Sequence, residues 1–157
     1  MKEMILETFR DLGFKLEEEE GMGYCFNYEG LNLLYMYNEN DEEFLNIALP
    51  GIVEVEEDRM LQICALLEKI NSTLKYVKTY MLGNSGWLFY ERELFGEEDL
   101  MTVISRMILH LEAGLVFARK AMAEIEETMA NDSSDDDTAE SAEEIVAEEI
   151  ADAEDNE

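Results

Sequence analysis

The sequence contains few of the residues that most often mark an extracellular fold, a metal centre or a histidine-based active site. Its 157 residues include two cysteines, one histidine and one proline. Cys25 and Cys64 share no metal-ligand spacing, and an extracellular chain of this size more often carries a denser disulfide framework. We therefore predict that both cysteines are reduced and serve mainly in packing.

Basic residues are also scarce. The chain has 11 lysines and arginines against 39 aspartates and glutamates, which leaves a formal net charge of -28. Such a charge repels phosphate backbones and anionic lipid headgroups. Direct binding of nucleic acid or of a membrane surface is therefore disfavoured.

Long apolar runs are absent as well. No uninterrupted run approaches the ~18 apolar residues that a membrane span needs. The first 14 residues alternate charged and apolar side chains, whereas a signal peptide has a basic segment followed by an apolar one. We expect a soluble, cytoplasmic protein.

The chain does have enough apolar material for one domain, since 47% of its residues are hydrophobic. In the first segment, apolar residues recur at helical spacing: Met1, Ile5, Phe9 and Leu12. Gly13 ends this pattern, where a helix C-terminal glycine is expected. The pattern predicts a first helix.

A β-hairpin is predicted over residues 22–37, which alternate in strand fashion around Glu29 and Gly30. With those two residues as the turn, three pairs lie opposite each other: Tyr28 and Leu31, Phe26 and Leu33, Tyr24 and Tyr35. One face of the hairpin is then strongly aromatic. The other face is mixed and suited to meeting a partner, and it carries Cys25, Asn27, Asn32, Leu34 and Met36.

The remaining apolar blocks predict three more strands and two more helices. They are a strand over 44–49 ending at Pro50 and Gly51, a helix over 56–71, strands over 74–82 and 87–95, and a closing helix over 97–128. In the second hairpin we expect these pairs: Lys78 with Glu91, Tyr80 with Phe89, and Leu82 with Trp87. The predicted fold class is α+β, an antiparallel five-stranded sheet with helices in the order α-β-β-β-α-β-β-α.

The composition changes sharply near residue 130. Every charged residue from 131 to 157 is acidic, and this segment holds 13 of the 39 acidic residues and no aromatic residue. Such a segment cannot bury enough apolar surface to offset its ordering entropy. We predict a folded domain over residues 1–130 and a disordered acidic tail over 131–157.

No group of residues with catalytic, cofactor-binding or metal-binding chemistry stands out. His110 has no second histidine or cysteine at ligand spacing, and carboxylate pairs arise by chance in so acidic a chain. The acidic runs 17–20 and 132–137 lack the spacing of a calcium-binding EF-hand loop. The paired glycines lie at turns and not between a strand and a helix, as a phosphate loop requires. We predict a protein that is not an enzyme and that has no catalytic residue, cofactor or metal.

Several segments follow one another in a recognisable order. They are Leu12-Gly13-Phe14, residues 24–30, Phe44-Leu45-Asn46-Ile47-Ala48-Leu49-Pro50, Ile70-Asn71-Ser72-Thr73-Leu74-Lys75 with Lys78, residues 87–93, and the long final helix. In order and spacing, over about residues 1–128, they resemble the YbjN-type family of candidate bacterial sensory transduction regulators, which shares the type III secretion chaperone-like fold. The resemblance implies an often dimeric domain that binds protein segments, with no cofactor and no catalytic residue.

The sequence favours two functions over a third, an unrecognised enzyme, which would need a cleft with perturbed carboxylates around His110 or a bound metal. The first is a non-enzymatic module, chaperone-like or regulatory, that binds a protein segment or a homodimer partner through apolar strand residues. The residues predicted to do so are Leu34, Met36, Tyr80, Trp87 and Phe89. The alternative is an acidic nucleic-acid mimic that occupies a basic protein partner. If the helices cover Leu34 and Met36, no free apolar face remains for the first function. We infer no small-molecule substrate, and no motif names the partner.

Overall fold

A computed structural model describes the backbone of residues 1–154 and the side chains of residues 1–132. The elements are α1 Lys2–Asp11, β1 Glu17–Glu19, β2 Gly23–Tyr28, β3 Leu31–Met36, β4 Phe44–Glu54, α2 Met60–Thr73, β5 Val77–Leu82, β6 Ser85–Glu93 and α3 Leu100–Glu154, with a 3-10 turn at Glu57–Arg59 before α2. The strands form one antiparallel sheet in the order β1-β2-β3-β4-β6-β5. The predicted antiparallel α+β fold is confirmed.

The predicted acidic tail, residues 131–157, falls almost wholly outside the residues whose side chains are described. Residues 155–157 lie outside the described backbone as well. The closing helix, predicted over 97–128, instead continues through the described backbone to Glu154. The domain boundary at residue 130 stays a prediction, and this helical backbone gives no support to the disorder expected beyond it.

The first helix ends at the glycine that the sequence indicated. Gly13 has φ 89° and donates its N–H to the carbonyl of Arg10 at 2.9 Å, while Phe14 donates to the carbonyl of Phe9 at 3.0 Å. This pair of hydrogen bonds is the Schellman arrangement, and a contact between the Phe9 and Phe14 rings, with centroids 6.1 Å apart, completes it. The turn directs the chain into the first strand.

That first strand, β1, was not predicted, so the expected count of five strands is wrong by one. Glu17–Glu19 pairs with β2, with Glu17 opposite Cys25 and Glu19 opposite Gly23. Glutamate disfavours strands in general. An edge strand nevertheless keeps charged side chains in water, and its charge discourages further pairing at that edge.

The register of the first hairpin is confirmed. Tyr28 lies opposite Leu31, and the other predicted pairs also form. The turn residues Glu29 and Gly30 have φ values of 48° and 84°. Two successive left-handed residues are what a type I′ turn requires, and this turn matches the twist of the strands.

The fourth strand continues past the proline at which it was predicted to end. It spans Phe44–Glu54, and its register with β6 shifts between Leu49 and Val53. Pro50 is tolerated within this irregularity because it has no N–H to contribute to the sheet. Gly51, with φ 69°, supplies the left-handed conformation beside it.

The predicted register of the second hairpin is wrong by two residues. Lys78 lies opposite Phe89, and Tyr80 lies opposite Trp87, because the turn contains only residues 83 and 84. Strand side chains alternate with a period of two, so this shift leaves every residue on its predicted face. Lys78 still forms an ion pair with Glu91, now along the diagonal.

The helices cover only one face of the sheet. The main core includes Phe9, Ile70 and Leu111 from the three helices together with Tyr35 and Leu88 from the strands. Burial raises the pKa of the Tyr35 hydroxyl well above its ordinary value. The aromatic face of the first hairpin is therefore the inner face, and the mixed face points away from the helices.

Within the described residues, one helix segment, Leu100–Asp132 of α3, is long and apolar enough to cross a membrane by length and composition alone. The sequence expectation considered only uninterrupted apolar runs, whereas the apolar stretch of this helix contains a few charged residues. Ile104 and Leu111 on its inner face are buried in the core. Its exposed large apolar residues are Met101, Leu109 and Val116. Of its most apolar 18-residue stretch, 33% is buried inside the structure.

Candidate protein-binding surface

A second apolar cluster lies on the face of the sheet that carries no helix. Leu34, Ala48 and Phe89 are buried there, with half-buried Met36 and Trp87 packed against them. Among the described residues, none from a helix belongs to this cluster. We call the sheet face defined by these five residues the open face.

Strand pairing brings the cluster together across the sheet. Cys25 lies opposite Leu34, Leu34 opposite Ala48, and Ala48 opposite Phe89. Phe89 in turn lies opposite Lys78 on β5. One continuous row therefore crosses five strands, with its apolar members at the spacing of direct cross-strand neighbours.

Stacked aromatic rings explain how Phe89 is buried without a helix above it. The Tyr80 ring lies on the Phe89 ring with centroids 4.1 Å apart and planes inclined by 3°, and the Trp87 ring follows at 6.0 Å. Tyr80 remains 41% exposed. Burial first, and the nearby Glu91 carboxylate second, raise the pKa of the Tyr80 hydroxyl above its ordinary value.

All five residues that the sequence suggested for binding, Leu34, Met36, Tyr80, Trp87 and Phe89, lie on the open face. The structure brings them together, while their binding of a partner stays a prediction. Sequence reasoning placed Cys25 on the same face but did not select it, and it missed Ala48. Finding Ala48 requires the pairing of β3 with β4, which no local turn encodes.

Both edges of the sheet are protected against an added strand. On the β5 edge, the Asn71 side chain accepts a hydrogen bond from the Thr79 N–H at 2.8 Å and donates one to the Thr79 carbonyl at 2.9 Å. Asn71 thus takes the place of a neighbouring strand. The opposite edge, β1, is only three residues long and all glutamate. Short, charged edges discourage pairing.

One end of the open face contains a cavity of about 330 Å³, which we call the acidic pocket. Its walls include the apolar side chains of Met22, Met36 and Phe44 and the polar side chains of Asp41, Asn46 and Glu91. The Asn46 amide donates to the Glu91 carboxylate at 2.8 Å. At the rim, Tyr37 donates a hydrogen bond to Glu42 at 2.7 Å, which is the main reason that its pKa is raised to about 12.

The residues that resembled chemical sites do not form one in the described part of the chain. His110 lies exposed on α3 against the rings of Tyr76 and Tyr90, with centroids 5.1 and 5.8 Å away. No group of three or more histidine, cysteine or acidic side chains among the described residues is arranged to hold a metal ion. Cys25 and Cys64 are both free, and burial raises the pKa of the Cys25 thiol.

A six-stranded antiparallel sheet with helices on one face and an open second face places this chain in the class of YbjN-like folds. The solved structure of YbjN from E. coli, described as a candidate transcription regulator, matches with a TM-score of 0.58 at 15% identity, covering 76% of this chain and 92% of that one. An uncharacterised protein from Methanothermobacter thermautotrophicus matches with a TM-score of 0.52 at 18% identity, covering 81% of this chain and 97% of that one. The predicted YbjN-like fold is thereby confirmed.

Neither a protein-family model nor a curated protein matches the sequence. At identities of 15% and 18%, the structural matches establish the fold and not the activity. The function must therefore be argued from the surface itself.

Proposed function

We propose that this protein is a non-enzymatic regulatory module that binds an apolar segment of a partner protein on its open face. The observation that carries the proposal is the helix-free cluster around Leu34, Ala48 and Phe89, whose rim residues Met36 and Trp87 remain partly accessible. Contiguous apolar surface rimmed by polar residues is typical of protein-binding sites. A regulatory role agrees with the description of one fold neighbour as a candidate transcription regulator.

The partner segment binds on the face of the sheet and not along its edge. An added strand needs free N–H and C=O groups at the edge. Asn71 already occupies those of Thr79 in the middle of β5, and β1 offers three glutamates. Addition of a partner strand at an edge of the sheet is therefore less well supported than binding through side chains of the open face.

A partner of different composition fits better than a second copy of this chain. Two copies would bring together net charges of -28 each, and this repulsion opposes association at low ionic strength. The acidic-mimic alternative relies on charge alone, whereas the centre of the open face is apolar. We place the protein in the cytoplasm, where two free cysteines remain reduced.

The test replaces one rim residue of the open face and follows the proteins that co-purify with the full chain. We expect Trp87→Asp to remove the specific partner, because Trp87 lies in the apolar cluster outside the acidic pocket and a buried carboxylate in an apolar contact costs several kcal/mol unless it is paired. Leu34→Asp is unsuitable because Leu34 is only 2% exposed, so that change tests folding. The matched control is Leu109→Asp, at a 52% exposed apolar position on α3.

The outcomes separate the candidate functions. A partner that is retained by Leu109→Asp, lost by Trp87→Asp and held in high salt supports the proposal. A partner that both variants retain at low salt and release steeply as the salt concentration rises supports the acidic mimic instead. Light scattering that shows a dimer disrupted by Trp87→Asp assigns the open face to a second copy and overturns the proposal.

A further inference from the structure

The open face carries acidic side chains around its apolar centre. Residues directly opposite each other on paired strands point to the same face of the sheet. The pairing of β1 with β2 and of β4 with β6 therefore shows which acidic residues lie on the open face. The acidic positions are Glu17, Glu19, Glu54, Glu91 and Glu93. Among the described strands, Lys78 is the one basic residue on this face, and it is paired with Glu91. Lys15, just before β1, is paired with Glu17. The surface is therefore complementary to an apolar segment with basic flanks.

The acidic pocket has the shape and chemistry for a long basic side chain. Met22, Met36 and Phe44 form apolar walls, and Asp41 and Glu91 contribute carboxylates. Lysine and arginine combine an apolar stem with a cationic head, and they bury the stem while the head seeks polar partners. Met36 also packs against the apolar cluster of the open face, so pocket and cluster are continuous.

The side-chain amide of Asn46 lines the acidic pocket, and only one of its two ends has a hydrogen-bond partner. The Glu91 carboxylate only accepts hydrogen bonds, so the Asn46 group facing it at 2.8 Å must be the amino group. Its other end, Oδ1, is then a buried acceptor without a partner, and it is the single such side-chain atom among the described residues. An N–H donor can become a partner of this oxygen, whereas a carboxylate cannot.

We infer that the partner segment is basic and amphipathic, with its apolar side on the open face and one lysine or arginine side chain in the acidic pocket. This inference rests on the proposed function, and it adds the charge and the anchoring residue of the partner. A segment with glutamates at the same positions is rejected, because like charges at close range are unfavourable.

The test uses synthetic helical peptides and the full chain at about 0.15 M salt, where the Debye length is about 8 Å. Two peptides share the same leucine face and differ in carrying lysines or glutamines on its flanks. Trp87 is the only tryptophan and lies on the open face, so its fluorescence reports binding at this surface. We expect the lysine peptide to bind at least about tenfold more tightly than the glutamine peptide.

Two double variants with the same change in net charge locate the effect. Asp41→Asn with Glu93→Gln removes two acids at the pocket end of the open face and keeps the Lys78–Glu91 ion pair, and Glu7→Gln with Asp11→Asn alters exposed acids of α1, which packs on the other face. We expect the pocket variant to lose the preference for lysine and the α1 variant to keep it. Circular dichroism confirms that both variants are folded.

Each other outcome has a defined meaning. If the two peptides bind equally and the pocket variant changes nothing, the inference about the basic anchor fails while the proposed function stands. If both double variants lose the preference equally, the attraction is diffuse charge and the pocket assignment is overturned. If neither peptide alters Trp87 fluorescence, binding at the open face fails and the proposed function fails with it.

Discussion

Replacing Asn71 by alanine tests how the free edge of the sheet is protected. Asn71 lies near the end of α2, and its side chain makes two hydrogen bonds with the backbone of Thr79. Thr79 is 3% exposed, so water cannot readily replace the lost partner. Alanine would leave one N–H and one C=O of β5 without a partner in a buried position.

The expected cost follows from the number and burial of these groups. A hydrogen bond contributes about 0.5–1.5 kcal/mol, and orphaning a buried polar group costs about 1–3 kcal/mol. Two bonds lost at one site give a destabilisation of roughly 2–3 kcal/mol. For a chain of this length, about 2–4 °C is lost per kcal/mol, so the melting temperature should fall by about 5–10 °C.

Thermal and urea unfolding, followed by circular dichroism and Trp87 fluorescence, measure this cost. The control is Asn32→Ala, which removes an exposed side-chain hydrogen bond of 3.1 Å with Asn27 and should cost below about 0.5 kcal/mol. Asn71→Ala should also increase self-association at high concentration, because it opens the β5 edge. A cost equal to that of Asn32→Ala, with no added association, would refute the assigned role of Asn71.

Two further predictions concern backbone geometry and pH. Gly23→Ala should destabilise the protein by at least about 3 kcal/mol in urea unfolding, because φ of Gly23 is 141° and a Cβ there would overlap the Tyr35 carbonyl. The control is Gly21→Ala, which should cost only about 1–2 kcal/mol, because φ is 79° and nothing lies within 4 Å of the added Cβ. Equal costs would contradict the overlap. The Glu98 carboxylate accepts a hydrogen bond from the Phe95 N–H at 2.8 Å, and this bond is the main reason that the pKa of Glu98 is lowered. The stabilisation that Glu98 gives the fold is therefore present above the pKa it has in the unfolded chain, and it is lost as the pH falls through the lower pKa of the folded state. The difference in unfolding free energy between the wild type and Glu98→Gln should therefore be largest near neutral pH and shrink in acid, and a difference independent of pH would contradict this.

The local features of the fold could be predicted from the sequence because they depend on neighbouring residues. The alternation of apolar and polar residues around Glu29 and Gly30 was enough to predict the first hairpin and its register, since the turn and both strands are contiguous in the chain. The helical spacing of apolar residues before Gly13 was likewise enough to predict α1. Turn chemistry and periodicity act over a few residues, and these short-range constraints are fully present in the sequence.

Other features depended on contacts between distant segments. A shift of two residues preserves the alternation of side chains, so the pattern around Tyr80 and Trp87 could not select the observed register. The strand Glu17–Glu19 exists because its backbone pairs with β2 and not because glutamate favours strands.

The sequence alone determined which residues share a face of each hairpin, because side-chain direction alternates along a strand. It did not determine which face the helices cover, how Asn71 closes the edge at Thr79, or that Met36 joins Asp41 and Glu91 around one pocket. The covered face and the Asn71 contact follow from the packing of α1, α2 and α3 on one side of the sheet, whereas the pocket follows from the pairing of β3, β4 and β6. Only the tertiary structure therefore decided that Leu34 and Phe89 form a helix-free cluster, because that depends on where elements distant in the chain come to lie.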